Sequence, residues 1–183
     1  MMKRDPFEWL ELFKDPLLSF LNEMENYMNI KKEVTVKNAR HAFEYLQLIN
    51  DSEEDKRSDL LKEFGKRPGM DLLLSLNYSP RIKLDLPEGA PVNDDGSPLY
   101  KQDFQTHTDL MHPLASLIGR LKVCMPNHPA KKRDKEKVFV QVLEWLAPQE
   151  GVVLIAAKDK KLQDLYPNIT PELVSSVFPN YVK

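Results

Sequence analysis

Cysteine is nearly absent: Cys124 is the only one in 183 residues, which excludes an intramolecular disulfide or a multi-cysteine metal site and fits a reducing compartment. Glycine is scarce too, six residues against fourteen prolines. Proline fixes φ and suits helix starts and loops, so this balance predicts short helices with stiff connections rather than long strands. Long hydrophobic runs are missing: Leu72 to Leu74 and Val152 to Ala157 are the longest apolar stretches, far below the roughly 20 residues that cross a bilayer. Neither membrane insertion nor secretion is expected, because charges interrupt the apolar residues of Met1 to Asp15 where a signal peptide needs an unbroken apolar core. The sequence contains no GxxxxGK[ST] or GxGxxG phosphate loop and no nucleophile elbow, which leaves nucleotide-dependent catalysis without support. A formal charge of −2 argues against a uniformly basic nucleic-acid binder.

What is present is the composition of an ordinary globular protein, 42% hydrophobic and 30% charged, in a chain long enough to bury one core. The charge is uneven. Residues 1–100 hold 14 Lys+Arg against 19 Asp+Glu, net −5, and the remainder 12 against 9, net +3, so an anionic partner should prefer the second half.

The expected fold class is mainly α: a compact multi-helix domain crossed by a proline-rich extended segment. Asp5-Pro6 and Asp15-Pro16 open two helices, the second carrying Leu17, Phe20, Leu21, Met24 and Met28 at helical spacing. Thr35 is expected to cap a third, with Ala39, Ala42, Phe43, Leu46 and Ile49 on one side, and Ser52 a fourth that ends at Gly65. Leu72 to Leu76 is too short a run to classify by period and predicts one or two buried helical turns. From Asn77 to Pro98, prolines and the alternation of Ile82, Leu84 and Leu86 with charged residues predict an extended connector between parts 1–76 and 99–183. Helical pattern resumes from Leu99, broken before Pro113, then over Val138 to Leu146, Gln149 to Lys158 and after Thr170-Pro171.

Catalytic, cofactor and metal signatures are not found. His107, Asp109 and His112 fall within six residues, but the five-residue histidine spacing puts the pair on different helix faces, and a hydrogen-bonded or solvated pair is the simpler reading. Cys124 has Arg120, Lys122 and His128 near it, which can activate a thiolate, yet a lone cysteine is ordinarily a small buried hydrophobe. Asn93 to Gly96 lacks the remaining ligands of a calcium loop and reads as a turn.

Two surfaces are candidates for binding. Pro80, Arg81, Lys83, Pro87, Glu88 and Pro91 lie in the connector, a stiff recognition element for a protein partner or, equally, a strap packed on the helices. Arg120, Lys122, Lys131, Lys132, Arg133, Lys135 and Lys137 form a basic stretch suited to nucleic-acid phosphates, diluted by Asp134 and Glu136. Lys158, Lys160 and Lys161 are read as stabilising a helix C-terminus. Trp9, Phe13 and Tyr27 leave room for a homo-oligomer through the N-terminal helices.

The stretch LLLSLNYSPRIKLDLPEGAPV, the LEWLAP helix end, the VLIAAKDKKL block and the ITPELV…FPN terminus together resemble an uncharacterised family of small proteins from T-even-like tailed bacteriophages and cyanophages. They cover about half the chain, in order. The resemblance implies a phage accessory protein in the bacterial cytoplasm and transfers no active site. The leading expectation is therefore a non-enzymatic protein that binds a host or phage partner, with a nucleic-acid-associated protein as the alternative.

Overall fold

The computed structural model describes residues 39–101 and 111–181, all within one compact unit, Thr35–Lys183. The two N-terminal helices, the Thr35 cap, the aromatic trio, His107 and Asp109 lie outside the described residues. Among those described, eight α-helices and a 3₁₀ turn make a mainly helical domain. They are α1 (Ala42–Asp51), α2 (Glu54–Phe64), α3 (Pro68–Tyr78), α4 (Leu114–Leu121), the 3₁₀ turn (Lys122–Cys124), α5 (Lys132–Trp145), α6 (Pro148–Lys158), α7 (Leu162–Leu165) and α8 (Pro171–Val177). No helix among them is long and apolar enough to cross a membrane.

The core is built around α3. Its Leu73, Leu74 and Leu76 are fully buried, and it packs on α6, α4, α1 and α8. Each such leucine contributes on the order of 1.5–3 kcal/mol by leaving water, so the leucine run becomes a complete eleven-residue central helix rather than a turn or two. Neighbours on several sides explain why it shows no amphipathic period: there is little solvent face to mark.

Helix boundaries depart from the sequence reading where another side chain takes up the end groups. α1 starts at Ala42, with His41 as its cap residue. Glu44 turns back to accept from the backbone N–H groups of Arg40 at 2.6 Å and His41 at 2.9 Å, satisfying donors that a new helix leaves open. Ser52 does not cap α2, whose cap residue is Glu53; its hydroxyl donates to Ile49 O at 2.7 Å and closes the end of α1 instead. Gly65 ends α2 as expected. A Cβ there would sit 2.6 Å from Leu61 O and closer still to the Phe178 ring, so only glycine lets the C-terminal segment close on α2. Of the helix expected from Leu99, Leu99 to Lys101 are not helical and Leu114–Leu121 forms α4; residues 102–110 lie outside the described residues. Thr170 caps α8, its hydroxyl accepting from Leu173 N at 3.2 Å.

Candidate functional site

The connector is a strap fastened by lysines. Leu84 is buried and Ile82 and Leu86 are half-buried, while Asp85 N donates to Cys124 O at 2.7 Å. Lys160 adopts φ 63°, a left-handed conformation that side chains other than glycine's rarely accept. From there its ammonium donates to the carbonyls of Leu76, Ser79 and Ile82, closing the C-terminal end of α3. Lys158 donates to Pro87 O at 2.7 Å and to Asp159, whose other oxygen accepts from Gly89 N at 2.8 Å. Lys161 pairs with Glu88 at 2.7 Å. The block read as complementing its own helix end thus holds the connector as well. It leaves Arg81 and Lys83 exposed, with Pro80 and Pro87 on the surface and Pro91 half-buried.

The basic stretch separates into parts with different roles. Lys135 is 2% exposed and does not belong to a phosphate-contacting surface. Its ammonium donates to Asp85 and to Met125 O, each at 2.9 Å, and fastens the connector to α5. Lys135 lies one turn from Phe139 on the apolar side of the helix, whereas Arg133, Glu136 and Lys137 point outward. Arg120 lies over the ring of Trp145, 4.2 Å from its centroid, at the opposite end of α5 from Lys131 and Lys132, about 20 Å away at 1.5 Å per residue. Lys122 is exposed in the 3₁₀ turn. Among the described residues Lys131, Lys132, Arg133 and Lys137 make no ion pair, whereas Lys56, Lys62, Lys135, Lys158 and Lys161 each do.

Beside α5 the chain leaves the connector as a small hairpin. Leu99 N donates to Pro91 O at 2.9 Å and Asn93 N to Ser97 O at 2.8 Å, around a turn with Gly96 at φ 83°. Asp95 accepts from Ser97 N at 2.9 Å and from its hydroxyl at 2.6 Å. Asn93 to Gly96 is thus a turn. This rigid element carries Val92, 54% exposed, and Leu99, 47% exposed; with Trp145 they are the exposed large hydrophobic residues of the described chain. Between Leu99 and α5 runs a groove of about 390 Å³, walled by Arg133, Glu136, Lys137, Val140 and Gln141. Sequence patterning missed it because Leu99 reads as the first apolar residue of a helix. At the far end of α5 the backbone N–H of His112 donates to the backbone carbonyl of Trp145 at 3.1 Å.

A second concavity, about 230 Å³, lies where α1, α3 and α4 begin, with Arg40, Arg67 and Glu150 on its walls. Glu150 is 1% exposed. One of its oxygens accepts from Ala42 N and the other from Leu114 N, both at 2.7 Å, and His41 Nδ1 is 3.2 Å away. This carboxylate caps two helices at once. Arg67 is likewise engaged, donating to the Tyr45 hydroxyl at 2.7 Å and lying over the Tyr45 and Phe64 rings. The cleft is a structural junction.

Cys124 is fully buried, and burial pushes its thiol up to about 11, only partly opposed by the Lys135 charge. A thiol with that affinity for its proton and no solvent access is a poor nucleophile at neutral pH. Among the described residues no three His, Cys, Asp or Glu side chains are grouped to hold a metal ion. No protein-family model, curated protein or solved structure matches the chain.

Proposed function

We propose that this chain is a non-enzymatic binding protein that presents the outer face of α5, flanked by the 91–99 hairpin and Trp145, to a macromolecular partner. The carrying observation is that, among the exposed large apolar side chains of the described residues, Leu99 lines the groove along α5 and Trp145 stands on that helix, while Val92 and Leu99 share a hairpin closed by its own backbone bonds. Exposing them costs hydration free energy that burial against a partner would recover. Rigid aromatic, aliphatic and arginine side chains are the types that dominate interface energetics when water is excluded around them. The connector supports this surface from behind rather than serving as the recognition element itself. The resemblance of the LPEGAPV and VLIAAKDKKL segments to phage accessory proteins supports placing the activity in a bacterial cytoplasm.

A nucleic-acid reading has one specific observation behind it. Lys131, the cap residue of α5, and Lys132 and Arg133 in its first turn form no ion pair among the described residues, at a helix end where the dipole already favours anions. Co-purification from bacterial cells with nuclease treatment separates the two. The binding reading expects a stoichiometric protein partner that survives nuclease and is lost with Leu99→Asp or Trp145→Ala. Recovery of nucleic acid alone, with affinity falling steeply as salt rises, would replace it with the phosphate-contacting reading.

A further inference from the structure

We infer, resting on the binding reading above, that the groove between Leu99 and α5 receives a segment of a partner protein in which a large apolar side chain is flanked by carboxylates. The groove's chemistry is specific. Leu99 and the half-buried Val140 supply the apolar part, and Arg133 and Lys137 stand one helical turn apart beside them. A carboxylate on either side of the bound apolar residue meets Arg133, whose planar fork accepts a carboxylate bidentately, or Lys137, which acts as a point charge.

Charge complementarity identifies the occupant. Arg133 and Lys137 have no ion-pair partner among the described residues, and neither do Lys131 and Lys132 beside them, so this end of the face carries cations that no described carboxylate pairs with. Arg133 and Lys137 would oppose a basic segment, and Glu136 and Glu144 on the same helix would oppose a continuous polyphosphate strand, which favours discrete carboxylates spaced along a peptide to meet the two cations. The hairpin's internal hydrogen bonds hold Leu99 in place before binding, so little ordering is left to the moment of association.

Selection of a displayed random-peptide library on the purified full chain, with counter-selection on Leu99→Asp, tests this directly. The expected result is enrichment of sequences in which a Leu, Phe or Met is flanked by Asp or Glu. Affinity for a selected peptide should fall about tenfold or more in R133E/K137E, be largely kept in R133K/K137R, and weaken as salt rises. Both positions are exposed, and an unchanged urea midpoint verifies that each variant folds. Enrichment of neutral or basic sequences, no enrichment, or displacement of the peptide by a short DNA duplex at lower concentration than by free peptide would overturn the inference. If partner capture still depends on Leu99 and Trp145 while selection returns non-acidic sequences, the carboxylate inference alone falls.

Discussion

At the scale of single residues, the chemistry of Lys135 and Cys124 is decided by burial. Lys135 combines a stem packed beside Phe139 with an ammonium bonded to Asp85 and Met125 O. Lys135→Ala removes both and should cost about 2–4 kcal/mol in urea unfolding, whereas Lys135→Met keeps the packed volume and should cost about 1.5 kcal/mol or less. The ammonium's hydrogen bond holds the Asp85 carboxyl below its ordinary value of 3.8. Because the folded value lies below the unfolded one, the stabilisation is present above about pH 4 and is lost as pH falls through the folded value. The drop in Tm on the acid side should therefore be shallower in Lys135→Met than in the parent. Cys124, shielded and held as a thiol, should react with a thiol reagent at neutral pH only after urea is added; rapid labelling of the native chain would contradict the buried placement. The buried placement of Cys124 agrees with its reading as a small buried hydrophobe, whereas the role of Lys135 was not legible, since a lysine in a run of lysines carries little mark of which one faces inward.

At the scale of elements, the helices owe their existence to local pattern and their exact ends to distant groups. The Gly65 stop and the Thr170-Pro171 start follow from proline and capping chemistry and stand as read, and α6, expected from Gln149, begins one residue earlier at Pro148. The starts of α1 and α4 instead depend on Glu150, which is 108 residues from Ala42 and 36 from Leu114. Removing the carboxylate as Glu150→Ala leaves two buried N–H donors without an acceptor, so a loss of about 3–5 kcal/mol is expected. Glu150→Gln keeps one good acceptor and should lose less. Slowed amide exchange at Ala42 and Leu114 in the parent, lost at both in Glu150→Ala and at one of them in Glu150→Gln, would locate the effect at these two ends. The Glu150 contacts belong to no local window around Ala42, although Glu44, which turns back to His41 N, marks the same start locally.

For the whole molecule, stability and binding make opposed demands on α5. Its first turn begins at Lys131 and continues with Lys132 and Arg133, an arrangement that the helix dipole disfavours by a few tenths to about 1 kcal/mol per charge. Lys131→Asp supplies a side-chain cap and removes a like charge, so it should stabilise the fold by about 0.5–1.5 kcal/mol. The same change should weaken partner binding and flatten its salt dependence. A stabilised variant with unaltered binding would show that the charges at this end are merely solvated, and that recognition rests on Leu99, Val140 and Trp145.

What the sequence by itself determined is the class of the molecule: helical period, proline-initiated starts and a proline-rich connector are properties of neighbours along the chain, and they suffice for a mainly α domain crossed by an extended segment. Which lysines fasten that segment, that Lys135 faces inward while Arg133 and Lys137 face out, that one glutamate closes two helices, and that Leu99 stands against α5 were decided only by the tertiary structure. The reason is physical. Helix and turn propensities act over a few residues, whereas desolvation, ion pairing and groove shape depend on groups brought together from 50 to more than 100 positions apart, such as Lys135 with Asp85 and Glu150 with Ala42.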